Sequence, residues 1–252
     1  MKKYIAIATL LAAGSAFANA SAGKADLGNG ITGTWTEYNM QGSITTATNS
    51  VTLPNSWGGP TAWITLDSAI DLAQNQMLTF DYTYTYTSTV DNAIYSISFL
   101  GNGGESAFMI GNTDYNIRDL AAASTTLGTE FYNNKAQSIR FNAGNSGDRF
   151  QPVRDGDTKI NLGTVSYGAV NATIAWNAES SSFKMTLRTG DKSATLDLGD
   201  SVKFDTISFA ADGNESQAIT GISLNIIPEP STFGLLAGLG ALALVGTRRR
   251  RK

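Results

Sequence analysis

Four groups of residues in this chain combine type and spacing in ways that bear on chemistry. Asp155-Gly156-Asp157, shortly after Asp148, and Asp212-Gly213-Asn214-Glu215 pair oxygen ligands with the glycine a tight loop needs. That is the donor set of a hard cation, and it makes Asp155, Asp157, Asp212 and Asn214 candidate calcium ligands. Neither run has the full ligand spacing of a helix-flanked calcium loop, and Asp, Asn and Gly also gather in turns for backbone reasons alone. The third group is aromatic. Tyr82, Tyr84 and Tyr86 fall on one face of a strand, and Trp57 sits in the turn-rich Asn55-Ser56-Trp57-Gly58-Gly59-Pro60. Exposed rings of this kind stack on the C–H faces of sugars, so Trp57, Tyr84 and Tyr86 are the candidate ligand-binding residues. The same spacing also fits a core face running Leu78, Phe80, Tyr82, with Tyr84 and Tyr86 at its rim. The fourth group is the carboxylates, since two suffice for glycoside hydrolysis. Glu37, Glu105, Glu130, Glu179 and Glu215 are scattered, and no two share a strand face. A hydrolase here would need dispersed acids that converge only in space.

The chain has no histidine and no cysteine. Imidazole metal sites, Ser-His-Asp triads and the commonest general base are therefore absent. Disulfides are absent too, so stability must come from the core. With no phosphate-cradling loop either, the residues point to a non-enzymatic body without a resident cofactor, calcium being the one candidate.

The elements that must position these groups lie between two terminal signals. Lys2 and Lys3 precede an apolar stretch from Ile5 to Ala13, and Ala18-Asn19-Ala20 supplies small residues. This is the pattern of a secretory signal peptide cut after Ala20, so residues 1–20 stand outside the fold. At the other end, Pro228-Glu229-Pro230 leads into an uncharged run from Ser231 to Thr247, and Arg248, Arg249, Arg250, Arg251 and Lys252 close it. The prolines hold the entry extended. Seventeen helical residues span roughly 25 Å, the short end of what crosses a bilayer. Five adjacent cations are costly to bury and suit a cytoplasmic membrane face, so a short transmembrane helix is expected.

Residues 21–227 remain for one domain, a length sufficient for a proper core. This body holds 11 basic and 20 acidic residues, a formal charge of −9, whereas the whole chain carries −3. So acidic a surface is a poor partner for nucleic acid.

The body reads as all-β. Leu78, Phe80, Tyr82, Tyr84 and Tyr86 alternate with Thr79, Asp81, Thr83, Thr85 and Thr87. Further alternating runs are Tyr95, Ile97, Phe99; Val170, Ala172, Ile174, Trp176; Phe183, Met185, Leu187; and Ala194, Leu196, Leu198. Trp63 and Trp176 fit core positions. Asn177 to Ser182 and Thr189-Gly190-Asp191-Lys192 are hairpin turns. Alternation with one polar face belongs to antiparallel sheets. Only Arg118 to Leu127 has the composition of a short helix. Short strands with frequent turns and no internal repeat predict a two-sheet antiparallel sandwich. Asn171-Ala172-Thr173 and Asn214-Glu215-Ser216 match the glycosylation sequon, which in a bacterial chain is close to chance.

Two resemblances follow. Pro-Glu-Pro, a short apolar span and an Arg-rich end, over residues 228–252, resemble the PEP-CTERM sorting signal. The resemblance implies recognition by an exosortase, cleavage near the motif, passage through the inner membrane, and release or attachment at the surface or extracellular matrix of a Gram-negative-type bacterium. The closing strands, with Val202 to Ala211 and Ala218 to Ile227 after the hairpins, resemble a concanavalin-like jelly roll. The glucanases of that fold carry Glu-x-Asp-x-x-Glu on one strand, and this chain has no such run. The expectation is thus an exported, surface-directed, structural or adhesive sandwich; alternatives are a lectin-like carbohydrate-binding module, calcium-assisted or not, and a glycoside hydrolase with dispersed carboxylates.

Overall fold

The structure, a computed structural model, describes residues 20–38, 43–54, 61–86, 94–101, 108–111, 137–143, 159–165, 168–212 and 216–228. These form fifteen strands in two sheets, with no helix among the described residues. The first sheet contains β1 (Ala20–Asp26), β2 (Thr32–Tyr38), β5 (Thr61–Asp71), β7 (Ile94–Leu100), β8 (Phe108–Gly111), β9 (Gln137–Ala143), β10 (Lys159–Val165) and β14 (Lys203–Asp212). Its spatial order is β1-β2-β5-β14-β7-β8-β9-β10. The second contains β3 (Thr45–Ala47), β4 (Ser50–Leu53), β6 (Gln76–Tyr86), β11 (Gly168–Asn177), β12 (Ser182–Thr189), β13 (Lys192–Gly199) and β15 (Gln217–Pro228). Its order is β13-β12-β11-β6-β15-β4-β3.

The alternation that predicts strands also decides which face is dry. In β6 the odd member of each pair, Thr79, Asp81 or Thr83, stays partly exposed, while Leu78, Phe80, Tyr82 and Tyr84 are buried. The alternating runs of β11, β12 and β13 bury Val170, Ala172, Ile174, Phe183, Met185, Leu187, Leu196 and Leu198 in the same core. Both predicted hairpin turns are present: β11 pairs β12 from Asn177↔Ser182, and β12 pairs β13 from Thr189↔Lys192. Gly190 there has a φ of 58°, the left-handed conformation such a turn requires.

Pairing is antiparallel except at one end of the larger sheet, where β8–β9 and β9–β10 run parallel. Strands β14 and β15 are consecutive in sequence yet sit in opposite sheets. The first lies between β5 and β7, the second between β6 and β4. Each closes its sheet from within.

The inter-sheet core is aromatic at its centre. Phe99 stacks on Phe108 with 4.5 Å between centroids, and Phe80 and Phe204 meet Phe99 edge-on at 4.9 and 5.2 Å. Trp35 joins this core beside Phe209 and donates its indole N–H to the Ala47 carbonyl at 2.8 Å. Sequence inspection did not single Trp35 out, because its neighbours in β2 are polar or small. Trp63 is buried as expected, but its neighbours Ala62 and Ile64 belong to the inter-sheet core and it does not. Alternation places it on the opposite face of β5. In the middle of this sheet both faces are buried: Ser96, Ser98, Thr206 and Ser208 are inaccessible alongside Ile97, Phe99 and Ile207. Trp176 is half-buried, packed edge-on against Phe183 at the end of the core.

Candidate functional site

The solvent-facing side of the seven-stranded sheet presents polar side chains in rows that cross five strands. One row runs Ser193, Arg188, Asn171, Asp81, Ser223, from β13 through β12, β11 and β6 to β15, each the register partner of the next. The adjacent row, in the same strand order, is Thr195, Thr186, Thr173, Thr79, Asn225. These positions are polar because the pleat turns them away from the core, so burial does not select against hydroxyl, amide or charge.

A groove of about 370 Å³ opens on this face, lined among others by Asp81, Thr83, Asn171, Arg188, Gly190 and Gly221. Asn171 donates its side-chain amide to Asp81 Oδ1, and its own Oδ1 accepts from Thr173 Oγ1 at 3.4 Å. The acid and the amide therefore hold each other in place. Arg188 is exposed, and among the described residues neither an ion pair nor a hydrogen bond engages its side chain. On the other side of Asp81 the register of β15 slips between Thr220 and Ser223, a bulge at Gly221 with φ 61°. Bulges bend the local backbone, and this one occurs where the groove is widest in chemical variety: hydroxyl, carboxylate, amide and guanidinium within three strands.

Farther along the same face, Lys184 pairs with Asp197, which also accepts from Ser182 Oγ at 3.0 Å and from the Gly199 amide at 2.9 Å. The Lys184 contact first, then the Gly199 amide, lowers the Asp197 pKa below 3.8. On the eight-stranded sheet, the Thr32 hydroxyl at 2.7 Å and Lys24 do the same for Asp67.

The sequence-predicted site residues fall apart. Tyr84 is a correction: it is 1% exposed, stacks on Tyr95 at 3.9 Å, and donates its hydroxyl to Gln217 Oε1 at 2.8 Å. A ring enclosed on both faces has no surface for a ligand. Tyr86 ends β6, its backbone opposite Gln217, and its side chain lies outside the described residues, as do Trp57, Asp155, Asp157 and Asn214. Asp212 ends β14 opposite Ile94. No group of three or more acidic side chains that could hold a metal ion occurs among the described residues. The proposed signal cleavage involves Ala18, outside the described residues, and Ala20, the first residue of β1, whose backbone pairs with Glu37. Pro228 ends β15 opposite Gln76; Glu229, Pro230 and the cations Arg248 to Lys252 lie outside, with the helix expected between them and the one expected at Arg118 to Leu127. Among the described residues no helix is long and apolar enough to cross a membrane.

The groove residues themselves were missed. Asp81 is legible as one polar member of the Tyr/Thr alternation, and Asn171 as part of a sequon, but nothing local joins them to Arg188. Their signal is the cross-strand register alone.

Fold and surface together define an all-β, two-sheet sandwich with one polar, grooved sheet face. Comparison with known proteins adds the chain's route. The PEP-CTERM protein-sorting motif matches residues 227–251, so the chain is an exported protein that carries an exosortase-type processing signal and passes through the membrane. No curated protein matches the chain. Among solved structures, it resembles a lectin from Bauhinia forficata solved in complex with GalNAc, at 12% identity and a TM-score of 0.37, over 75% of this chain and 91% of that one. A seed lectin of Lotus tetragonolobus gives 9% and 0.37 over 75% and 92%. A legume lectin-like domain from Entamoeba histolytica gives 10% and 0.35 over 77% and 90%. At these scores the likeness adds no argument about ligand or activity.

Proposed function

We propose that this protein is a non-enzymatic adhesive component of the extracellular layer, binding a hydroxyl-rich polysaccharide across the polar face of its seven-stranded sheet. The observation that supports this is the arrangement of Ser193, Arg188, Asn171, Asp81 and Ser223 in one cross-strand row beside a row of threonines. Rows of hydroxyl, amide and charged groups at strand spacing, about 4.8 Å apart, offer a regular ladder of donors and acceptors to an extended, hydroxyl-rich chain. Among the described residues that line the groove, Asp81 is the acid; it accepts from Asn171 and its register partners are Asn171 and Ser223, which supports a binding rather than a hydrolytic reading. The domain works in this reading without a resident cofactor, at the cell surface, after its sorting signal has been processed.

The test is a glycan array probed with the exported protein, beside Asn171→Ala and Gly221→Asn variants. Binding to one polysaccharide class, weakened by both substitutions, supports the reading. A silent array with folded protein defeats it. In parallel, replacing Pro228-Glu229-Pro230 by alanines should strand the protein in the membrane fraction if surface delivery depends on the motif.

A further inference from the structure

We infer that the groove selects acidic glycans and that Arg188 is the residue that reads their carboxylates. The inference rests on the reading of this sheet face as a glycan-binding surface. Arg188 and Asp81 stand on either side of Asn171 in one row, two strands apart. At strand spacing their Cα atoms are about 10 Å apart. Asp81 is held by the Asn171 amide, and Asn171 in turn by Thr173, so the acid wall of the groove is occupied. The guanidinium on the other wall is exposed, and among the described residues it has no partner.

A guanidinium offers five N–H donors in a planar fork that fits a carboxylate in bidentate fashion. A sugar hydroxyl uses only one of those donors and carries no charge. At an exposed position a bidentate ion pair is worth about two- to fivefold in affinity, and a neutral hydroxyl forms no such pair. The body's net negative charge opposes an acidic polymer at long range, but that opposition is screened over about 8 Å at physiological salt, and Asp81 is already engaged by Asn171. The contact at Arg188, made within hydrogen-bonding distance, therefore prevails locally. Gly221 keeps the far side of the groove open: a Cβ built there meets nothing within 4 Å. Its φ of 61° lies in the left-handed region that asparagine enters more readily than other side-chain-bearing residues, so that side can be filled at modest backbone cost.

The experiment compares polygalacturonate with its methyl ester, polymers with the same hydroxyl layout that differ in the carboxylate charge. Full-length protein in detergent is titrated with each, beside Arg188→Ala, Arg188→Lys, Gly221→Asn and, as control, Lys24→Ala on the other sheet. Thermal melts confirm that every variant is folded. The expected result is about two- to fivefold tighter binding of the acid form, a difference erased by Arg188→Ala and partly kept by Arg188→Lys. Gly221→Asn should weaken both polymers. Equal affinities, or a preference that survives Arg188→Ala, would overturn the inference while leaving the sheet face as a glycan surface. Binding of neutral polymers only would do the same. Silence toward every polymer, acidic and neutral, would remove the inference together with the reading beneath it.

Discussion

The phenolic oxygens of Tyr82 and Tyr95 lie 3.1 Å apart in the sealed interior between the two sheets. Tyr82 belongs to β6 in the seven-stranded sheet and Tyr95 to β7 in the eight-stranded one, so this hydrogen bond crosses between the layers, as the Trp35–Ala47 bond does nearer the sheet ends. Tyr84 stacks against Tyr95 beside it and reaches Gln217, giving the dry core a small polar seam. Burial raises the pKa of both Tyr82 and Tyr95 well above 10.0, because a phenolate there would lose its water.

That seam predicts alkaline unfolding. A folded-state pKa raised above the unfolded value contributes stability that is complete below about pH 10 and is lost as pH climbs toward the folded value. Each phenol should steepen the loss by up to about 1.4 kcal/mol per pH unit. Denaturant melts between pH 9 and 11.5 should show this slope, and Tyr82→Phe should make it shallower. An unchanged slope in the variant would refute the role assigned to the pair.

Tyr84→Phe separates packing from ligand contact. It removes the hydroxyl that Gln217 Oε1 accepts from, at a cost of about 1–2 kcal/mol. Glycan affinity should not change, because the ring is enclosed. A large loss of binding with stability intact would return Tyr84 to the ligand site.

Trp35→Phe should destabilise the domain by about 2–4 kcal/mol, through lost core volume and an orphaned Ala47 carbonyl. Chemical denaturation followed by circular dichroism measures this. A cost under about 0.5 kcal/mol would mean that the indole is not held as described.

Asp197 contributes in the opposite pH range. Its lowered pKa means its stabilising pairing with Lys184 is present above about pH 4 and disappears as pH falls through the folded value. Asp197 is half exposed, so Asp197→Asn should cost under about 1 kcal/mol at pH 7. As the pH falls through the folded value, the difference between the variant and the parent protein should close.

Gly33→Ala and Gly221→Ala make a contrasting pair. A Cβ at Gly33 would stand 2.6 Å from the Thr65 carbonyl oxygen on the neighbouring strand, a backbone contact that cannot swing aside. Its substitution should cost about 2–3 kcal/mol, the upper part of the overpacking range. At Gly221 the space is open and the cost is only that of a left-handed backbone, about 1 kcal/mol. Equal losses at the two sites would contradict the packing between β2 and β5.

Read from residues alone, the chain discloses its class and its route. The period-two alternation in β6, β11, β12 and β13 identifies strands and their buried face, because in a pleated sheet that choice is local: side chains point to opposite sides in turn. The Asn177–Ser182 and Thr189–Lys192 turns are equally local, and the sorting motif needs no fold at all. What only the tertiary structure decided is everything that depends on which strands become neighbours. Nothing in the sequence places β14 and β15 in the middle of opposite sheets, or Trp63 on the face away from Ala62 and Ile64 with both faces buried. Tyr84 illustrates the limit: its position on the core face was readable, but whether that face was covered at the eighty-fourth residue depended on Tyr95 arriving from the other sheet. Arg188, Asn171 and Asp81 became one row through the register of three strands, and register is settled by long-range pairing that no local pattern encodes.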